Sequence, residues 1–236
     1  MNELKYRIRN NKGLIKRIKT NEYLREMLRN HHCLFLQALP GSGKTSAMYS
    51  LINEFYKERY IYYHIDSRDN DYDLFIKHMK NAFSYASLNI DDLQIDKPYL
   101  FVLDQFENIT NENIIQYIKQ LIIYMPHQLY FIILSRNPLH PLFYELIQYH
   151  YLSLAKNCPL FFDKNETIKL AKQLHVKNIN PYLLHQQTNG WPLVVSYQFQ
   201  HDHQIKDNDY ILFDFFERMT MSSSKIYILE DDYVIL

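Results

Sequence analysis

Short, unbroken apolar runs alternate along most of the chain with longer segments whose apolar residues recur every three or four positions. Cys33-Leu34-Phe35-Leu36-Gln37, Tyr60–Ile65, Tyr99–Asp104, Leu129–Ser135 and Tyr149–Leu154 read as five buried strands. Helical spacing covers about Glu22–Arg29, Thr45–Lys57, Tyr72–Ser87 and Asn111–Tyr124, the last closed by Pro126. A polar connection over 88–98 ends at Pro98, and a loop bearing Pro138 and Pro141 follows the fourth strand. Strands alternating with helices predict an α/β fold, a five-stranded parallel sheet with helices on both faces. Beyond Pro159 the pattern is helical only. Asp163 is placed to cap a helix over Glu166–Leu174, Asn180-Pro181 opens another with proline at its first position, and Gly190-Trp191-Pro192 marks a stop and a new start. Asp207–Met219 forms a last amphipathic segment. The expected organisation is an N-terminal lead-in over 1–30, an α/β core over 31–157, a small helical lid over 158–219 and a linker or truncated segment over 220–236.

The stretch Ala38-Leu39-Pro40-Gly41-Ser42-Gly43-Lys44-Thr45-Ser46 stands between the first strand and its helix. Strand, glycine loop, Lys-Thr and helix are the setting of a phosphate-binding loop. Main-chain N–H groups curled into a nest can hold polyphosphate without a bare buried charge. That curl needs positive φ, which glycine adopts without strain, and Gly41 and Gly43 supply it. Lys44 would reach the β- and γ-phosphates and Thr45 would place its hydroxyl on magnesium. The strict pattern has glycine where this chain has Ala38, so the match lies in the GSGKT half.

A magnesium site needs an acidic partner at another strand tip. The run Tyr99–Leu103 ends in Asp104, which fits a metal-side carboxylate in the crevice at the strand ends, or simply an aspartate capping a turn. Arg136, after the fourth strand, fits a group that reports the γ-phosphate, or a solvated arginine at a strand end.

Composition narrows the classes. The chain has 236 residues, 47% of them hydrophobic and 22% charged, which suits an ordered domain with a full core. Lys+Arg and Asp+Glu both number 26, and this zero net charge argues against a whole-surface nucleic-acid binder. The lead-in is locally basic: Lys5, Arg7, Arg9, Lys12, Lys16, Arg17 and Lys19 accompany only Glu3, reading as a phosphate-contacting arm or a solvated amphipathic segment. Two cysteines, Cys33 and Cys158, make no disulfide framework. His31-His32-Cys33 and His201-Asp202-His203 lack a spaced second half of a metal site and read as surface histidines. With no long apolar run and no signal-like N-terminus, a cytoplasmic protein is expected.

Taken together, these blocks resemble the signal-transduction ATPases with numerous domains (STAND), within the P-loop NTPases of the ASCE type, and especially the MalT-type, large LuxR-like regulators. A-L-P-G-S-G-K-T is similar to that family's A-P-A-G-x-G-K-T, which also begins with alanine. Ile65–Asp71 resembles its L-D-x-x-D-N-D block, Val102-Leu103-Asp104 its Walker B strand and Leu134–Pro138 its S-R-x-x-P segment. Phe161–Glu166 resembles its L-x-F-[ST]-x-E-E block, and Thr188–Pro192 its T-x-G-W-P. The resemblance implies ATP or ADP with Mg2+ as ligands, Thr45 and Asp104 at the metal, Arg136 as sensor, and Trp191 and Pro192 where the lid closes near the base. It implies a switch between a closed ADP form and an open, assembling ATP form in transcription regulation and signal transduction. Nucleotide-dependent self-association and DNA contact through a domain outside this chain follow from it, with no role at a membrane.

Two departures qualify that picture. The family often has a second acid after the Walker B aspartate to polarise water; here Gln105 stands there, leaving Glu107 as the candidate base beside Lys44, Asp104 and Arg136. Weak, slow or regulated hydrolysis is the expectation. The chain also ends before any sensor superhelix or helix-turn-helix, so it reads as a fragment, a truncated product or a freestanding module. Two alternatives stand beside the switch: an AAA+-like ATPase acting on nucleic acid or protein, and a non-hydrolysing nucleotide-binding interaction module.

Overall fold

Five strands, β1 (Cys33–Gln37), β2 (Tyr60–His64), β3 (Tyr99–Asp104), β4 (Leu129–Ser135) and β5 (Leu152–Leu154), form one sheet in the order β2-β3-β4-β1-β5, with every pairing parallel. The computed structural model describes residues 5–8 and 14–200. The expected helix over Asp207–Met219 and the segment 220–236 lie outside the described residues.

The strands are apolar at nearly every position because both faces of a parallel sheet are covered by helices. One face is rich in aromatic residues. Phe35, Phe101 and Phe131 point into it, the last two stacked at 4.5 Å between ring centroids and 7° between planes, against α3 (Tyr72–Tyr85) and α4 (Glu112–Tyr124). The alternate residues Leu34, Leu36, Val102, Ile132 and Leu134 pack on the other face with α1 (Ile18–Asn30) and α2 (Lys44–Leu51). A third, smaller core joins Leu170, Leu184, Val195 and Phe199 of α6 (Lys164–Gln173), α7 (Pro181–Thr188) and α8 (Pro192–Gln200) with Phe162, just before α6, and Ile15 of the lead-in. Side-chain caps fix the starts of α6 and α7. Asp163 and Glu166 form a reciprocal capping box on α6, and Asn180 caps α7 with Pro181 at its first turn.

Differences from the expected elements have local causes. The first helix begins at Ile18 rather than near Glu22. Its buried face includes Thr20 and Asn21, and the apolar periodicity does not register polar residues turned inward. Thr20 Oγ1 donates to the Pro159 carbonyl and Asn21 Nδ2 to Ser50 Oγ. The helix after the glycine loop widens into a π-helical turn over Ile52–Tyr56 and ends at Lys57, which adopts φ 42°. The proline-bearing loop contains a 3-10 turn over Pro141–Phe143 and a short helix, α5 (Tyr144–Gln148). That helix closes through His150 at φ 61°, so Tyr149 and Tyr151 lie outside the fifth strand and stay exposed.

The described part of the lead-in is tied to the body of the molecule, with Lys5 buried and Lys16 and Lys19 paired at the surface. Lys5 is buried between Asp66 and Asp69 at 2.8 and 2.6 Å, Lys16 pairs with Glu54 at 2.7 Å, and Lys19 pairs with Asp163 at 2.9 Å. Lys5, Lys16, Lys19 and also Arg17, which meets Glu166, thus have acidic partners distant in the sequence.

Candidate functional site

The register of the central strands decides what meets at their C-terminal tips. β4 lies between β3 and β1, pairing Gln37 with Ser135 and Leu103 with Ile133. The segments that follow these three strands therefore emerge side by side. After β1 comes the glycine loop, with Gly41 at φ 72° and Gly43 at φ 90°. After β3 comes Gln105 in the left-handed region at φ 63°, then a 3-10 turn over Phe106–Asn108 that brings Glu107 back toward the crevice. After β4 comes Arg136.

Their side chains interlock. Thr45 Oγ1 donates to Asp104 Oδ2 at 2.7 Å, as does the Tyr62 hydroxyl at 2.7 Å, and the Gln105 N–H donates to Asp104 Oδ1 at 2.9 Å. Arg136 holds Glu107 twice, through Nε to Oε1 at 2.7 Å and through its backbone N–H to Oε2 at 3.2 Å. Lys44 Nζ donates to the carbonyls of Ala38 at 2.6 Å and Leu39 at 3.0 Å. Burial brings the Lys44 ammonium down to about 8, against the upward pull of Glu107 and Asp104, while Arg136 adds to the depression.

A cavity of about 390 Å³ opens over this floor, within the range of small-molecule sites. Pro40, Gly41, Gly43, Lys44, Thr45, Ser46, Asp104, Gln105, Glu107 and Arg136 line it from the core. Leu14, Ile15 and Arg17 line it from the lead-in, and Phe162, Leu170, Leu174, Pro192, Leu193, Ser196 and Gln200 from the helical part. The two sides touch at the glycines. The Leu193 N–H donates to the Gly41 carbonyl at 3.1 Å. A Cβ on Gly41 would lie 2.5 Å from Leu193 Cδ2, and one on Gly43 would lie 3.2 Å from Pro192 Cγ.

Nearly all the residues singled out from the sequence thus meet at one crevice. Trp191 does not line it; its ring stacks on Phe161 at 5.9 Å, behind Pro192. Ala38 and Leu39 contribute carbonyls to Lys44 rather than cavity wall, and Ser42 is buried beneath the loop.

Two residues, Arg17 at the crevice and Tyr62 behind it, were invisible as such in the sequence. Tyr62 reads only as a strand position. Arg17 reads as one basic residue among several, yet it is 1% exposed. Its Nε donates to Glu166 Oε1 at 3.1 Å and its Nη2 to the carbonyls of Pro159, Leu160 and Phe161 at 3.2, 2.6 and 3.2 Å. Its guanidinium lies 4.7 Å from the Phe162 ring centre, and Nη1 is buried at the cavity with no hydrogen-bond partner among the described residues. Burial lowers its pKa and Glu166 opposes that.

Among solved structures, the chain is similar to a Walker-type ATPase of Pyrococcus abyssi, with TM-score 0.55 and 15% identity over 93% of this chain and 79% of that one. It also matches a signal-transduction ATPase with numerous domains carrying a tetratricopeptide repeat sensor, from Pyrococcus horikoshii. That match has TM-score 0.47 and 14% identity over 89% of this chain and 33% of that one, so this chain spans about a third of that protein's length. No protein-family model and no curated protein matches the chain. The α/β architecture, a five-stranded parallel sheet flanked by helices, is the fold of the P-loop ATPase neighbour. No helix among the described residues is long and apolar enough to cross a membrane.

Proposed function

We propose that the chain is the ATP-binding module of a nucleotide-dependent signalling switch of the STAND kind, in the manner of MalT-type, LuxR-like regulators, with slow or regulated hydrolysis. The observation that carries this reading is the 2.7 Å contact between Thr45, in the first turn of α2, and Asp104, at the tip of β3, which share one crevice with the glycine loop. A hydroxyl and a carboxylate are hard oxygen donors of the kind Mg2+ accepts alongside phosphate oxygens and water. The chemistry of this pair therefore fits the metal that accompanies ATP or ADP. Such a cation would neutralise phosphate charge opposite Lys44, and the loop's N–H groups would take the remaining oxygens.

The pairing of Glu107 with Arg136 supports slow turnover. A carboxylate held by two donors on an arginine is poorly disposed to take a proton from water until that arginine turns elsewhere. A phosphate terminus that drew Arg136 away would free Glu107, so sensing and water activation would be linked. This favours the switch over a fast mechanochemical ATPase of the AAA+ kind. Contact of Pro192 and Leu193 with the two loop glycines supports a lid that responds to what the loop holds. Any DNA contact or nucleotide-driven self-association belongs to the resemblance with those regulators.

Isothermal titration of the chain with ATP and ADP, with and without Mg2+, tests the proposal. The expected result is binding of both nucleotides, weakened about 100-fold, or roughly 3 kcal/mol, by Lys44→Ala through loss of a buried cation against phosphate. A folded wild-type chain that binds neither nucleotide sinks it.

A further inference from the structure

We propose that Tyr62 is a positioning residue for the metal-side carboxylate, acting on Mg2+ through Asp104. The inference rests on the nucleotide-binding reading above and assigns to β2, a strand with no residue lining the cavity, a part in that site.

The sheet register sets up the contact. His64 pairs with Asp104, so Tyr62 lies two residues earlier on β2, on the same face and one step further from the crevice. A phenol is long enough to bridge that step. The ring is 4% exposed and belongs to the apolar cluster with Met48, Leu100 and Val102. A hydroxyl in such surroundings is costly unless it is hydrogen-bonded. Its bond is to Asp104 Oδ2 at 2.7 Å, the same oxygen that accepts from Thr45 Oγ1 at 2.7 Å. The Gln105 N–H takes Oδ1. One donor comes from the glycine-loop helix, one from the turn after β3, and one from the neighbouring strand.

Each does different work. The Thr45 hydroxyl is itself a candidate metal ligand, and the Gln105 N–H belongs to a turn in the left-handed region. Tyr62 is the donor anchored in the rigid core. It fixes the side-chain rotation of Asp104 before any cation arrives. Partners that orient a ligand in this way commonly alter metal affinity about 10- to 100-fold when removed.

The test uses the full chain and the Tyr62→Phe variant, which keeps the ring and removes the oxygen. Nucleotide affinity is measured in EDTA and then as a function of Mg2+ at fixed ATP, with thermal unfolding of the nucleotide-free chain alongside. The expected result is an EDTA affinity within about twofold of wild type and a Mg2+ requirement raised about tenfold. An unchanged Mg2+ requirement overturns the proposal and leaves Tyr62 a packing residue, whatever happens to the unfolding temperature. A folded wild-type chain without nucleotide binding overturns the functional reading instead, and this inference with it. If Tyr62→Phe does not fold, Tyr62→Met, which fills the space and also lacks the hydroxyl, is read by the same two measurements.

Discussion

The floor and the wall of the crevice are built by different means. Thr45, Asp104, Glu107 and Arg136 stand at or beside the tips of β1, β3 and β4, strands paired through continuous parallel ladders. Asp104 is itself paired in the sheet, and the backbone segments that carry Thr45, Glu107 and Arg136 start from the ends of β1, β3 and β4, so sheet register sets where they begin while the Glu107 and Arg136 side chains stay able to turn. Arg17, Phe162, Pro192 and Leu193 come from separate segments held to one another and to the core by side-chain hydrogen bonds, by ion pairs such as Arg17–Glu166 and Lys16–Glu54, and by the Leu193–Gly41 main-chain bond. The floor is therefore the cooperative, high-stability part, and the wall is the part able to open at modest cost. That division suits a site whose chemistry must stay fixed while its cover responds to the ligand.

The largest expected effect comes from breaking the wall alone. Gly190 sits at φ 73°, where a Cβ would lie 2.0 Å from the Phe162 carbonyl oxygen, and its own carbonyl accepts from the Phe162 N–H at 2.8 Å. Gly190→Ala must force apart the strap that joins the start of α6 to the start of α8. A cost of about 4 kcal/mol or more is expected, from steric overlap with backbone plus left-handed strain. Limited proteolysis and hydrogen exchange should show it as opening over about residues 160–200, with amides of β3 and β4 still protected. Equal loss of protection in the sheet would mean that floor and wall fold as one unit, and the comparison would fail.

Arg17 gives a smaller and more pointed test. Arg17→Met removes the guanidinium that bridges the lead-in, the chain after β5, and α6. It leaves Glu166, 8% exposed, with only its capping role. Breaking a buried pair from one side costs about 3 kcal/mol. Chemical denaturation should report that loss, and the double variant Arg17→Met with Glu166→Leu should recover much of it, because the stranded charge is gone. If the double variant is no more stable than the single, the carbonyls of Pro159, Leu160 and Phe161, rather than Glu166, are what Arg17 holds.

The same division explains what could be read from the sequence. Gly41-Ser42-Gly43-Lys44-Thr45 is a local pattern, and an apolar run ending in Asp104 announces a central strand and its tip. The five strands, their parallel arrangement and most helix positions follow from periodicity. Arg17 could not be placed that way, because its partners are carbonyls 142, 143 and 144 residues away. Tyr62 was hidden for a related reason. Its ring satisfies the apolar pattern of β2, and only the register with β3 reveals where its hydroxyl ends. The pairing of Glu107 with Arg136 lay between these cases, since both residues were candidates but nothing in their spacing showed that each occupies the other.

The smallest effect separates floor from wall by pH. Lys44, on the floor, has its ammonium lowered to about 8 by burial, whereas Arg17, on the wall, remains charged throughout the accessible range. Below about pH 8 Lys44 is charged with or without a polyanion beside it, so nucleotide affinity should be flat. A bound polyphosphate favours the ammonium and raises its pKa. Above about pH 8, binding must therefore take up a proton, and affinity should fall by at most tenfold, about 1.4 kcal/mol, per pH unit. Titrations from about pH 7 to about 9.5, in two buffers of different ionisation enthalpy, should show proton uptake rising toward one per nucleotide. The uptake should disappear in Lys44→Ala and persist in Arg17→Met if that variant still binds. Affinity that stays level across this range in the wild-type chain would mean that Lys44 is not the group meeting the phosphates, and the floor would lose the residue that distinguishes it electrostatically from the wall.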